Sequence, residues 1–178
     1  MSMFCYQCEQ TSKGSGCTTV GVCGKEPDTA ALQDLLTYGL TGLSTYAHRL
    51  RKLGVADREL DRFMLDVLFT TVTNVNFDTE RHLPMIKRLG ELRDSAKSRY
   101  DKACADKGTA PEAAPECATI ALATTKDELI AQGQRVSIDK RAKNYGNEGT
   151  GLQELLTYGL KGMAAYAKHA EVLGSEND

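Results

Sequence analysis

At 178 residues, with 41% apolar and 26% charged side chains, the chain has the size of one ordinary domain and the composition of a globular protein. A net charge of -2 gives no electrostatic reason to expect nucleic acid or an anionic membrane surface as a partner, and no apolar run is long enough to cross a bilayer. The N-terminus runs into Cys5 without the basic and apolar regions of a signal peptide, so a reducing, cytoplasmic compartment is expected and a disulfide framework is disfavoured.

Cys5, Cys8, Cys17 and Cys23 fall within nineteen residues, at successive offsets of three, nine and six. Two cysteines separated by two residues can turn both thiolates toward one ion or one cluster edge, and the later pair can complete a tetrahedral set once the loop folds back. Gly14, Gly16, Gly21 and Gly24 let the backbone curl and leave N–H groups that could point at sulfur. An iron–sulfur cluster, a structural zinc, and disulfides or unliganded thiols all remain open on this spacing. It matches neither the common ferredoxin runs nor a ribbon with two CxxC pairs. A thioredoxin-like pair is disfavoured, because no strand precedes Cys5 and no helix follows Cys8 at once.

Asp28 or Thr29 is placed to cap a first helix, whose Leu32, Leu35, Leu36, Leu40, Leu43, Tyr46, Ala47, Leu50 and Leu53 recur at three and four. Gly54 ends it. Gly39 and Gly42 inside it each cost about 1 kcal/mol relative to Ala, so they are expected where another helix, or the cysteine loop, comes close. A second helix is predicted from Asp57 toward Val75, with Phe63, Met64, Val67, Leu68, Thr71 and Val75 as its stripe. A third begins at Asp78 or Thr79, uses Leu83, Ile86, Leu89, Leu92 and Ala96, and reaches Tyr100 or Cys104. Pro84 lies in its opening turns. Three such helices on short connections make an antiparallel bundle.

Residues 105 to 150 read as a connector. Gly108, Pro111 and Pro115 break it, and Thr119 to Ala123 is expected to be extended. A short helix follows Thr125, with Glu128 placed to close a capping box, and the stretch from 134 to 150 is charged and poorly patterned. The chain then repeats itself. Leu32-Gln33-Asp34-Leu35-Leu36-Thr37-Tyr38-Gly39-Leu40 returns 120 residues later as Leu152-Gln153-Glu154-Leu155-Leu156-Thr157-Tyr158-Gly159-Leu160, and 13 of the 23 positions from 32 to 54 are identical. Such a match implies duplication of a structural unit. The expected architecture is all-α: a cysteine-rich, cluster-binding loop (1–28), a three-helix bundle (29–104), a connector (105–150), and the first helix of a partial second bundle (151–178). Without partners, residues 152–173 would expose an apolar stripe. That predicts packing on the first bundle, on another chain such as a second copy, or on the remainder of a longer parent protein, the last being favoured.

The runs MFCYQCEQTSKGSGCTTVGVCGK, LQDLLTYGLTGLSTYAHRLRKLG, LFTTVTNVNFD and LQELLTYGLKGMAAYAKHAEVLG resemble the N-terminal region of the hybrid cluster protein family, also called prismane or hydroxylamine reductase. The resemblance covers almost the whole chain. It implies a [4Fe-4S] cubane on Cys5, Cys8, Cys17 and Cys23, because the compact spacing is that of the cubane-bearing branch and not of the longer-spaced [2Fe-2S] branch. It also implies an all-α first domain of two three-helix bundles, led by the helices at Leu32 and Leu152.

The family's active site is a hybrid iron–sulfur–oxygen cluster held by a histidine, glutamates and cysteines in later domains. None of those ligands lies in this chain, so the resemblance implies no hybrid cluster here, no catalytic residue, and no activity of these residues alone. The parent would reduce hydroxylamine to ammonia, with nitric oxide reduction also associated with the family, and would take electrons from a redox donor protein. His48, His82 and His169 are expected at the surface or a helix end, and Cys104 and Cys117 as ordinary thiols. The alternative is a non-enzymatic helical module, stapled by zinc or a cluster, that serves protein interaction or electron transfer.

Overall fold

The computed structural model describes residues 3–9 and 11–175, with Ser12 described by its backbone only. The outer ends of the 1–28 and 151–178 segments, and Gln10 in the loop, lie outside the described residues. The chain is all-α: α1 (Pro27–Lys52), α2 (Arg58–Thr70), α3 (Thr79–Asp106), the single turn α4 (Glu116–Thr119), α5 (Lys126–Arg135) and α6 (Ile138–Val172).

Local chemistry sets the helix ends. The Asp57 carboxylate accepts from the N–H groups of Glu59 and Leu60 and starts α2, and the Asp78 carboxylate accepts from Glu80 N–H and starts α3. Neither Asp28 nor Thr29 caps α1. That helix opens two residues earlier, on Pro27 after Glu26, where the missing proline N–H needs no partner, and the Thr29 hydroxyl donates instead to the Phe77 carbonyl at 3.1 Å. α2 stops at Thr70, short of Val75, where the Thr71 hydroxyl donates back to the Val67 and Leu68 carbonyls. Thr125 and Glu128 meet, but side chain to side chain at 2.7 Å, so the capping box does not close on the backbone.

α1 is the centre of the core. Leu32, Leu35, Leu36 and Leu43 have no exposed surface, and they pack with Ile86, Leu89, Leu92 and Ala96 of α3 and Leu129 and Ile130 of α5. At about 1.5–3 kcal/mol per buried aliphatic side chain, as an upper estimate, these four outweigh the roughly 2 kcal/mol that Gly39 and Gly42 together cost the helix. Both glycines are close-approach positions. A Cβ on Gly39 would stand 2.6 Å from Leu89 Cδ2, and one on Gly42 would collide with the Cys117 carbonyl. The approaching partners are α3 and α4, not the cysteine loop.

Residues 116–119 form a helical turn where an extended piece was expected to begin, and 138–150 are helical where a connector was expected. α6 absorbs its poorly patterned start by breaking helical geometry at Gly146 (φ 77°, ψ 161°). It then packs on α2 through a polar stripe. Lys168 Nζ pairs with Asp66 Oδ1 at 2.8 Å, the His169 ring meets Phe69 edge-on, and Lys161 Nζ donates to the Thr71 carbonyl at 3.2 Å. Its other face is open. Leu152, Leu155 and Leu156 are about two-thirds exposed, although their counterparts Leu32, Leu35 and Leu36 have no exposure. Nothing stands within 4 Å of a Cβ built on Gly159 or Gly162.

Candidate metal centre

The cysteine loop is held by backbone pairing. Cys5 and Cys17 exchange both N–H···O bonds (3.1 and 2.8 Å) in an isolated antiparallel bridge, extended by Met3 N–H to the Thr18 carbonyl. Directly opposed residues of such a pair carry their side chains on one face with Cβ atoms about 4.5–5.5 Å apart. Cys8 sits in the turn that Thr11 N–H closes onto its carbonyl, and Cys23 in the turn that Gly24 N–H closes onto Gly21. Gly16 lies under the Phe4 ring with φ +154°, and a Cβ there would stand 2.5 Å from the ring. Cys17 is buried, the other three are half-buried, and all six cysteines of the chain are free thiols.

Three of the four loop glycines do not offer their N–H groups to sulfur. Gly14 donates to the Thr11 carbonyl, Gly21 to the Lys25 carbonyl and Gly24 to the Gly21 carbonyl. The Tyr6 hydroxyl donates to Glu154 Oε2 at 3.3 Å. Burial and the Glu154 charge push the phenol well above its ordinary range. Among the described residues, no group of three or more His, Cys, Asp or Glu side chains is placed to hold a metal ion. The structure thus sets Cys5 and Cys17 opposite each other and ties Cys8 and Cys23 into adjoining turns, without drawing the four thiols into one tight set. As donors, four free thiols on one closed loop fit a thiolate-bound iron–sulfur group in type.

Behind the loop lies a set of buried charges that the sequence reading missed. Lys25 and Lys161 are 2% and 5% exposed. Lys25 Nζ donates to Gln33 Oε1 at 2.7 Å, and Gln33 Nε2 donates to the Asn76 carbonyl at 2.9 Å. Glu154 is paired with Arg141 at 2.5 Å. Desolvation pushes the Asp34 carboxyl up to about 7 and the Lys161 ammonium down to about 8. One signal could have found this set: Asp34 and Glu154 are the same position in the two runs, acidic in both and flanked by the leucines of the apolar stripe.

The expected surface histidines divide. His48 and His169 are exposed, but His82 has no exposure; Nδ1 donates to the Asp78 carbonyl at 2.7 Å and Nε2 faces Gln33. Position alone put it at the surface, whereas the first turn of α3 turns it inward against α1. Cys104 and Cys117 are buried thiols away from the loop, and desolvation raises Cys117. A cavity of about 930 Å³ opens between the loop and α6, with Phe4, Tyr6, Cys8, Ile138, Thr150 and Glu154 among its walls.

Residues 3–178 match the family model described as Prismane/CO dehydrogenase family. The chain belongs to that family. Over 176 residues this prismane-family chain is 51% identical to a hydroxylamine reductase of Rhodospirillum rubrum, covering 99% of the chain and 32% of the relative. It is 46% identical to a hydroxylamine reductase of Halothermothrix orenii (99% and 32%) and 44% identical to one of Geobacter sulfurreducens (100% and 32%). The prismane-family chain therefore spans about a third of the length of the curated relatives it matches.

Proposed function

We propose that this chain is the N-terminal, electron-entry portion of a hydroxylamine reductase. In this reading Cys5, Cys8, Cys17 and Cys23 hold a [4Fe-4S] cluster on a loop seated against a three-helix bundle, and α6 opens a second bundle made by duplication. The observation that carries it is the loop itself: four free thiols within residues 5 to 23, two of them opposed across the Cys5–Cys17 bridge, in a chain of this family. A cubane bound there would supply single electrons without a proton of its own.

The chain's own residues hold and screen the site. Cys17 is buried within the bridge, while Cys8 stays half-buried on the wall of the large cavity, the side from which a redox donor protein would reach the loop. Reduction of hydroxylamine breaks its N–O bond, consumes two electrons and two protons, and yields ammonia and water. That chemistry belongs to the parent protein, and these 178 residues alone should turn over no hydroxylamine. The open α6 face, residues 152–173, is where the rest of the parent or a second copy would seat.

Anaerobic preparation tests the reading through iron, acid-labile sulfide and zinc analysis with a visible spectrum. Iron and sulfide in equal amounts, with a broad brown absorption that bleaches on reduction, are expected. A colourless anaerobic preparation carrying zinc would overturn it. Cys8→Ser should lose the iron and keep its helical circular dichroism, because the apolar stripe of α1 to α3 does not run through the loop.

A further inference from the structure

A small cavity of about 20 Å³, room for about one water, lies between the loop, α1 and α6, and Cys5, Gln7, Lys25, Asp34 and Lys161 line it. Each lysine ammonium carries three N–H donors and, among the described residues, Lys25 donates to Gln33 Oε1 and Lys161 to the Thr71 carbonyl. Among the described residues neither ammonium has a carboxylate within 4.0 Å. Glu154 is taken by Arg141, which leaves one partly buried carboxyl, Asp34, against two buried ammoniums. The Phe77 ring, 5.9 Å from Lys25 Nζ, offsets little of this. The Gln7 Oε1 atom on the same wall is also buried and unpartnered. Two nearly enclosed ammoniums sharing one carboxyl are costly unless something further and anionic faces them.

The duplication sharpens the point. Lys161 stands at the register of Thr41, which is exposed in the first copy. In the second copy that position carries a cation, and the polar stripe of α6 presses it under the loop beside Cys5. Nothing in helix packing asks for a buried ammonium there; an aliphatic residue of similar length would fill the space.

We propose that Lys25 and Lys161 are the built-in counter-charges of the thiolate-bound cluster on the loop, and that through Lys161 the duplicated helix α6 sets that cluster's reduction potential. The inference rests on the cluster reading above. Both lysines are positioning residues, acting on the bound group through charge and N–H donation. Each electron added makes a thiolate-held cluster more negative, so fixed positive charge behind it favours the reduced form.

The test uses the full chain, loaded anaerobically with iron and sulfide and titrated by electron paramagnetic resonance. In Lys161→Met the reduction equilibrium constant should fall at least tenfold, which is 59 mV for a one-electron couple. Lys25→Met should shift the same way, Lys161→Arg should restore most of the loss, and Lys97→Met on the exposed face of α3 should change nothing. Urea midpoints supply a second readout that a plain structural lysine would not give. Without the cluster, Lys161→Met should be at least as stable as the parent chain, and with it, less stable.

Unchanged potentials in both Met variants at full iron content would overturn the inference and leave the cluster reading standing. Equal destabilisation of the loaded and cluster-free forms would likewise overturn it, marking Lys161 as a packing residue. A parent chain that takes up no iron and sulfide fails at the earlier step, by metal analysis alone.

Discussion

His82 gives its Nδ1 proton to the Asp78 carbonyl and has no water around the ring, so burial holds its pKa below the ordinary 6.5. The unfolded chain then binds the extra proton first, and this residue's share of stability is present above about pH 6.5 and lost as the pH falls through it. Asp34 works in the other sense. Its folded pKa of about 7 lies above the unfolded 3.8, so the native state holds the extra proton between them and stability declines as the pH rises across that window. The two effects oppose each other between about pH 4 and 6.5, so each is read by difference from the parent chain. His82→Asn should flatten the loss of urea midpoint between about pH 7 and pH 5.5. Asp34→Asn should raise the midpoint near pH 8, with the gain gone by about pH 4. An Asp34→Asn variant whose advantage is the same at both pH values would show that the carboxyl is not titrating as described.

The two helices that carry the repeated run make a controlled comparison, because similar residues meet two environments. In α1 the glycines at 39 and 42 are contact surfaces for Leu89 and for the backbone at Cys117. Gly42→Ala pushes a methyl into a peptide carbonyl that cannot rotate away, and it should destabilise the chain by about 1–3 kcal/mol. In α6 the equivalent Gly162 has open space, and Gly162→Ala should stabilise by up to about 1 kcal/mol through helix propensity alone. Thermal unfolding followed by circular dichroism reads both. Opposite signs are the expected result, and a loss of stability in both would mean that α6 is covered in solution. The helix ends teach a related lesson. Asp57 and Asp78 cap as their sequence positions promise, whereas Thr29 is drawn off by Phe77, a partner 48 residues away.

For the molecule as a whole, the governing feature is that α6 sits on its polar side. Glu154 and Lys161 are buried, and Leu152, Leu155, Leu156, Met163 and Tyr166 face outward. An apolar stripe of this extent on one helix is a surface awaiting a partner. The 178-residue chain should therefore self-associate as concentration rises, and Leu155→Glu with Leu156→Glu should return it to monomer in sedimentation velocity. A parent chain that stays monomeric at high concentration would contradict this. No helix of the described residues is long and apolar enough to cross a membrane.

Residue order was enough to locate α1, α2, α3 and α5, the apolar stripes, the repeat and the four loop cysteines. Each of those rests on periodicity or spacing within one stretch, with Leu32 to Leu50 and Cys5 to Cys23 as the clearest cases. Tertiary structure decided what each stretch meets. It spent three of the loop glycine N–H groups on carbonyls, buried His82, made a helix of 138–150, and turned the second run so that an acid and a lysine lie under the loop while its leucines face out. The physical reason is that periodicity marks a face without naming its neighbour. Burial of a charge depends on groups brought in from far along the chain, so the placement of Lys161 on one cavity wall with Cys5, about 150 residues away, could not be read from either stretch alone.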